Sequence, residues 1–428
     1  MTESETLQWI HSMPRFHNEA GLARIRRLLA FLGNPQRRLR FIHVAGTNGK
    51  GSTCAMTASI LRAAGYRTGL YISPYIRDFR ERMQVNGRMI SRRALCRIAA
   101  QLRPEVNAMC AEGCAPAEFE LVTAIAMQWF DVQRCSVVVL EVGLGGRLDA
   151  TNVIDPPLAS VICAIGRDHT ELLGATEPEI AREKCGIIKR GSRTFCAPQP
   201  EEVRAVIESA ARAAGNPFEE ANVLHTKILR ANSHGTRFTF RGQTYRLSML
   251  GGYQLRNAVT VLTTLDGLRR DNVLQIPDFA MHLGLRWAHF PARMEVMQRR
   301  PLVLLDGAHN PQGLHALALA LRQYPECRRC IVIMGMLRDK DYADGVKALL
   351  PSATEVLTLT PDSPRALDAE TLAETIRAAG GKAQAMTDPA AAIARAKELA
   401  GRRGAVAVCG SLYLAAQLRP MLKKWGQL

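Results

Sequence analysis

The chain has 428 residues, room for two or three domains, and its 47% hydrophobic and 22% charged residues are the balance of a globular protein. It has no run of the roughly 18 to 20 apolar residues that a membrane span needs. Its acidic start, Met1-Thr2-Glu3-Ser4-Glu5, lacks an apolar signal core, so a cytoplasmic location is expected. The net charge of +17 favours anionic partners. The basic residues are dispersed with few aromatics between them, and small polyanionic substrates explain the sign as well as nucleic acid does. Charge alone does not decide, although small molecules and no nucleic acid are the expected partners.

The first part of the chain alternates strands and helices. Leu22 to Leu32 has helical periodicity, Phe41 to Gly46 reads as a strand, Thr53 to Ala64 as a helix and Thr68 to Ile72 as a strand. A helix over Glu118 to Phe130 precedes an apolar strand at Ser136 to Val142. A further strand at Pro157 to Ile165 leads to a helix over Glu177 to Lys189. Such alternation of β-branched runs with helices implies a parallel sheet covered on both faces. From Thr236 to Leu250 the period changes to two, with Arg241-Gly242-Gln243 as a turn, which predicts a hairpin on the edge of the first domain. A second alternating series begins near Val296, with strands at 302–305, 330–334, 355–359 and 406–409 between helices at 313–322, 342–350, 369–378 and 389–399. The expected organisation is therefore α/β. Residues 1–293 form an N-terminal P-loop domain with a parallel sheet, and 294–428 form a smaller Rossmann-like domain, with the hinge near Ala288 to Arg293. The eleven cysteines, an odd number scattered through apolar stretches such as Val161-Ile162-Cys163-Ala164, read as reduced buried thiols. The lone Cys327-Arg328-Arg329-Cys330 reads as a loop entering a strand.

The segment from Phe41 to Thr53 carries the clearest chemistry. An apolar strand enters a glycine turn, Gly46-Thr47-Asn48-Gly49-Lys50-Gly51-Ser52, and a helix follows. Backbone N–H groups at such a turn, with the positive end of the helix dipole, suit phosphate oxygens, and Lys50 can reach the β- and γ-phosphates. The loop is shorter than the common P-loop, because Val44 stands where its first glycine would be and Gly51 where its hydroxyl would be. Ligands of open parallel sheets collect at strand carboxyl ends. Ser73, Glu141 and His169 fall at such ends and are candidate magnesium ligands, although Mg²⁺ favours oxygen over imidazole. The glycines from Gly143 to Gly146 have the wrong spacing for a nicotinamide site and suit a sharp turn or a close approach. In the second series Asp306, within Leu305-Asp306-Gly307-Ala308-His309-Asn310-Pro311, is a candidate for ribose hydroxyls. The same pattern also reads as an Asp-Gly turn with an asparagine cap.

Taken in order, His43-Val44-Ala45-Gly46-Thr47-Asn48-Gly49-Lys50-Gly51-Ser52, Ser73-Pro74, Glu141 to Asn152, Asp168-His169-Thr170, Arg182 to Lys189, Asp306 to Pro311, Asp339-Lys340-Asp341 and Gly410-Ser411-Leu412-Tyr413 resemble the folylpolyglutamate synthase and dihydrofolate synthase family of the Mur ligase superfamily. The resemblance implies an ATP-dependent ligase that joins L-glutamate to dihydropteroate or reduced folates through an acyl phosphate. It implies that Asn48, Gly49, Lys50, Gly51 and Ser52 hold phosphates, and that Ser73, Glu141 and His169 hold Mg²⁺, with a second ion near the γ-phosphate. Lys184 matches a lysine that is carbamylated to N6-carboxylysine. Asn257, Arg293 and Asp306 match ATP contacts, the last two reaching across the hinge. Phe119, Glu120, Leu148, Asp149 and Ala150 match the pterin side, with Ser12 to Arg15 as a weaker candidate. His309 matches the glutamate or phosphate side, so Lys50, Lys184 and His309 are the expected catalytic residues. A monomer is expected. Tyr75, Tyr253 and Ala292 depart from the family pattern and bear on the acceptor pocket. Two other readings are a Mur-type ligase with another carboxylate acceptor and, from a different class, a P-loop NTPase regulator. Peptidoglycan ligases are disfavoured, because only 45 residues precede Gly46.

Overall fold

A computed structural model of the protein describes residues 2–15, 21–339 and 341–425. Its contacts divide the chain into two compact units, one of Met1–Val223 with Asn257–Ala288 and one of Leu224–Arg256 with His289–Leu428.

The first unit is built on an eight-stranded sheet. Its strands in chain order are β1 (Phe41–Ala45), β2 (Thr68–Tyr71), β3 (Met83–Val85), β4 (Arg88–Met89), β5 (Val137–Glu141), β6 (Ala159–Ile162), β7 (Thr194–Cys196) and β8 (Phe218–Glu220). They lie in the order β4-β3-β2-β5-β1-β6-β7-β8. Pairing is parallel from β2 to β8, as the apolar runs imply, while β3 and β4 extend the edge antiparallel. β1 pairs with β5 on one side and β6 on the other, and all five of its residues are buried. Ridge-forming apolar residues of helices Ala23–Phe31, Arg92–Ala111 and Glu118–Val132 close a single core with Phe41, Tyr71, Val138 and Leu140. The helix Lys50–Ala63 is enclosed along most of its length. Helix Asp278–Trp287 lies so close to it that a side chain at Gly284 would meet the Ile60 backbone at 2.4 Å, and Ser59 Oγ donates to Gly284 O at 2.8 Å. The helix expected to run to Lys189 stops at Lys184 and tightens into a 3-10 turn. There a Cβ at Gly186 would sit 2.4 Å from Arg147 Cα.

The second unit holds two sheets. Strands β9 (Thr226–Asn232), β10 (Gly235–Phe240) and β11 (Gln243–Leu247) form an antiparallel meander, so the predicted hairpin is present with one more strand before it. The contacts group this sheet with the C-terminal unit and not with residues 1–223; Arg299, for example, donates to Ser233 O at 2.8 Å. The division by contacts thus differs from the expected boundary at residue 293. Strands β12 (Glu295–Arg299), β13 (Leu302–Leu305), β14 (Cys330–Met334), β15 (Glu355–Thr358), β16 (Ala383–Ala385) and β17 (Ala405–Cys409) form the second α/β sheet in the order β12-β13-β17-β14-β15-β16, parallel except for β12. Arg419 of the last helix clamps Glu295 of β12 through two hydrogen bonds of 2.8 and 2.7 Å, with both side chains buried. Among the described residues, no helix is long and apolar enough to cross a membrane.

Candidate active site

The carboxyl ends of four neighbouring strands, β2-β5-β1-β6, carry the polar segments singled out in the sequence. β1 delivers the chain to Gly46 between β5 and β6. The loop is then clamped to the exit of β6. Thr47 N and Asn48 N donate to Ala164 O at 2.9 and 3.1 Å, and the Thr47 hydroxyl donates to Gly166 O at 2.9 Å while accepting from Gly166 N at 3.2 Å. Two glycines make this approach possible. A Cβ at Gly46 would lie 2.6 Å from Cys163 Cβ, and one at Gly49, with φ of 88°, would lie 2.5 Å from Asn257 Oδ1. Asn257 is therefore seated directly on the loop. The helix begins at Lys50, so the first-turn N–H groups around Gly51 and Ser52 have no intrahelical acceptor and lie at the positive end of the dipole. Lys50 Nζ folds back to donate to Gly46 O at 2.9 Å and Thr47 O at 3.3 Å.

Ser73 and Glu141 come together, since Ser73 N donates to the buried Glu141 Oε2 at 3.0 Å. His169 follows β6 in a left-handed conformation, with its side chain half exposed and Nε2 3.9 Å from Asp168 Oδ1. Among the described residues, no three His, Cys, Asp or Glu side chains converge on a metal-sized point. The donor chemistry still fits Mg²⁺, which takes one or two carboxylates and fills its shell with hydroxyl, phosphate and water oxygens.

The segment after β5 is packed tightly. A Cβ at Gly143 would meet Phe119 at 2.6 Å, and one at Gly146 would meet the Lys184 carbonyl at 2.7 Å. Asp149 caps a short 3-10 turn and accepts from Leu144 N at 2.9 Å, Thr151 N at 3.0 Å and the Thr151 hydroxyl. Burial pushes its carboxyl above the usual range against these donors. The Thr151 hydroxyl uses its proton on Asp149, so it accepts from His43 Nε2–H at 2.8 Å. This fixes the His43 tautomer and leaves Nδ1 buried without a partner. Burial holds the ring neutral, with a pKa pulled down to about 3. The chain His43–Thr151–Asp149, which sequence reading missed, ties β1 to the segment expected at the pterin side. The signal that would have found it is a histidine inside an otherwise apolar strand.

Other expected pterin-side residues divide by role. Phe119 stands 5.9 Å from the Tyr71 ring. Glu120 is buried and closes its own helix start, accepting from Ala117 N at 2.7 Å and from Arg24 Nε at 3.1 Å. Leu148 is exposed and Ala150 buried. Ser12 ends the first helix, and Pro14 O accepts from Glu118 N at 2.9 Å. Lys184 is 4% exposed, and burial, followed by the charge of Lys50, pulls its ammonium pKa down to about 7.

In the second unit the exits of β13, β17 and β14 are neighbours. Gly410 N donates to Ala308 O at 2.8 Å, and a Cβ there would lie 2.6 Å from Gly335 O. Asp306 is buried and accepts from Met294 N, Ala308 N and the Tyr253 hydroxyl at 2.8, 2.8 and 2.9 Å. Arg293 lies alongside, with Nη1 2.5 Å from where a Gly307 Cβ would be and its guanidinium 5.7 Å from the Phe290 ring centre. His309 Nδ1 donates to Gly307 O at 2.8 Å, and Asn310 caps the helix Pro311–Leu321 by accepting from Gly313 N at 2.7 Å. Lys340 lies outside the described residues; Asp339 pairs with Arg365 at 2.8 Å.

Comparison with known proteins agrees with this architecture. Residues 44–265 match the Mur ligase middle domain and residues 292–412 the Mur ligase glutamate ligase domain. The chain is 38% identical over 427 residues to the dihydrofolate synthase/folylpolyglutamate synthase of Bacillus subtilis, covering 97% of this chain and 98% of that protein. Among solved structures it is similar to Mycobacterium tuberculosis folylpolyglutamate synthase complexed with ADP, with a TM-score of 0.89, 30% identity and 98% of each chain covered. Escherichia coli FolC in complex with DHPP and ADP gives a TM-score of 0.86 at 29% identity, covering 99% of this chain and 98% of that one. The strand-end loops, the buried lysine and these likenesses over nearly the whole length place the chain in the folylpolyglutamate synthase/dihydrofolate synthase family of Mur-type ligases.

Proposed function

We propose that the protein is an ATP-dependent ligase that adds L-glutamate to dihydropteroate, to reduced folates or to both. The observation that carries this reading is the cluster at the ends of β2-β5-β1-β6. There a phosphate-type loop, the Ser73–Glu141 pair and the Asp149 segment share one edge of one sheet. The acceptor carboxylate attacks the γ-phosphorus of ATP, ADP leaves, and the glutamate amine then displaces phosphate from the acyl carbon. Lys50 and the first-turn N–H groups neutralise phosphate oxygens as charge moves toward ADP, an electrostatic contribution that is largest where water is excluded. Glu141 and Ser73 would be the oxygen donors for Mg²⁺, with His169 as the proposed third ligand; when bound, the ion would supply Lewis-acid stabilisation of phosphoryl charge. Asn257 bears on the nucleotide loop, and Arg293 and Asp306 are the proposed nucleotide contacts of the second unit. His309 is proposed at the glutamate side. Phe119, Leu148, Asp149 and Ala150 are proposed to line the pterin side, with Asp149 oriented by Thr151. Lys184 titrates near neutrality, so its amine has a large neutral fraction, the form that adds CO2. N6-carboxylysine there would replace a cation close to Lys50 by an anion.

The test is incubation with Mg-ATP and L-glutamate plus dihydropteroate or tetrahydrofolate, following phosphate release and product mass. Glutamate addition to one acceptor or both is expected; addition to neither overturns the assignment.

A further inference from the structure

A one-sided stretch of charge covers residues 221–265. From Ala221 to Leu265 there is no aspartate or glutamate, yet Lys227, Arg230, Arg237, Arg241, Arg246 and Arg256 fall within it. The three-stranded sheet concentrates this charge. Its register sets Arg237 on β10 directly opposite Arg230 on β9 and Arg246 on β11. Like charges facing each other across strands are destabilising, and here they do so twice in one row. Alternation explains the geometry, because Phe238, Phe240, Tyr245 and Leu247 are buried on one face, which turns Arg237 and Arg246 to the exposed face. Among the described residues none of the three arginines has an ion-pair partner. They line a cavity of about 420 Å³ together with Asn232, His234 and Thr236.

We propose that this face is an exosite for the anionic γ-glutamyl tail of elongated acceptors, an inference that rests on the proposed glutamate ligation. Each ligation adds one α-carboxylate to the product, so the tail becomes a flexible row of carboxylates. A guanidinium takes a carboxylate as a two-pronged pair. Adjacent strands stand ~4.8 Å apart, so the row from Arg230 through Arg237 to Arg246 offers successive forks to an extended polycarboxylate. A nucleic-acid occupant is disfavoured because the aromatic rings of the sheet, Phe238, Phe240 and Tyr245, are buried and offer no surface for base stacking.

The test is the R230Q/R237Q/R246Q variant, assayed for turnover of monoglutamyl and pentaglutamyl acceptors and, by calorimetry, for binding of free oligo-γ-glutamate. The KM for the pentaglutamyl acceptor is expected to rise about tenfold, the scale of three exposed ion pairs, with kcat and the monoglutamyl KM unchanged. The melting temperature should hold or increase as the facing charges are removed. Equal shifts in both KM values, or none, overturn the exosite, as does tighter binding of duplex oligonucleotide than of oligo-γ-glutamate to the parent protein. If neither acceptor is turned over, the ligase assignment fails by itself, and the calorimetry still decides whether these arginines hold a polycarboxylate.

Discussion

The loops that leave β1 and β13 have the same plan, a buried parallel strand that ends in a polar turn and feeds a helix, yet they solve opposite problems. After β1 the turn is drawn tight by Gly46 and Gly49, and it presents backbone donors with the cation of Lys50 lying over its own carbonyls. After β13 the turn is organised by a buried acceptor, Asp306, which collects two backbone N–H groups and a tyrosine hydroxyl. A donor surface suits a phosphate chain, whereas a fixed carboxylate suits hydroxyl groups. The first loop is therefore expected to be dispensable for stability and indispensable for turnover. In the second, one residue is expected to serve the fold and the proposed site together.

Lys50→Ala is the strongest way to break this contrast. Loss of one preorganised phosphate donor lowers turnover by about 10²- to 10³-fold. The melting temperature should stay within a degree or two, because among the described residues Lys50 bonds to carbonyls of its own loop. Measurable destabilisation without loss of phosphate release would refute the division of labour. Asp306→Ala should behave in the opposite way. It leaves Met294 N and Ala308 N without their acceptor, at a cost of about 2–3 kcal/mol in chemical denaturation. Asp306→Asn, which keeps an acceptor oxygen, should recover much of that stability.

Lys184 sharpens the comparison through pH. Its pKa in the folded protein is about 7, below the 10.5 of a free lysine, so the unfolded chain binds more protons between those values. Folding is then penalised by this group below pH 7, and the penalty is relieved as pH rises from 7 toward 10.5. The stability of the parent protein relative to Lys184→Met should increase across that window, measured by denaturant titration at several pH values. A flat difference would show that the lysine is paired or solvated in a way that burial does not describe.

Much of this arrangement could be read in the residues. Apolar runs such as Val137-Val138-Val139-Leu140 announce buried parallel strands, and the glycines before Lys50 announce a tight strand-to-helix turn, because short-range chemistry determines both. What could not be read depends on contacts distant in sequence. The pairing of Ser73 N with Glu141 spans 68 residues, and that of His43 with Thr151 spans 108. The third strand of the meander, β9, was missed because its residues Thr226–Asn232 are largely exposed and have no clean period-two pattern. The role of Glu120 was obscured for the same kind of reason: a carboxylate three residues into a helix serves equally as a cap or a ligand, and only Ala117 N and Arg24 show how it is engaged here.

The smallest expected effect lies at Tyr253. Its hydroxyl donates to Asp306 Oδ2, the oxygen that also accepts from Met294 N. Burial, then the charge of Asp306, holds the phenol well above its ordinary pKa, so it remains a donor throughout the working pH range. Tyr253→Phe removes one of three donors and leaves the two backbone bonds in place, so the loss should be about 1 kcal/mol of stability. With that donor gone the Asp306 carboxyl moves further up from its already raised value. Any acid limb in the KM for ATP should therefore shift to higher pH in the variant, while kcat on the alkaline side is unchanged. The same substitution should leave the Lys50 loop untouched. A change in kcat at all pH values would mean that the tyrosine acts beyond the carboxylate it holds.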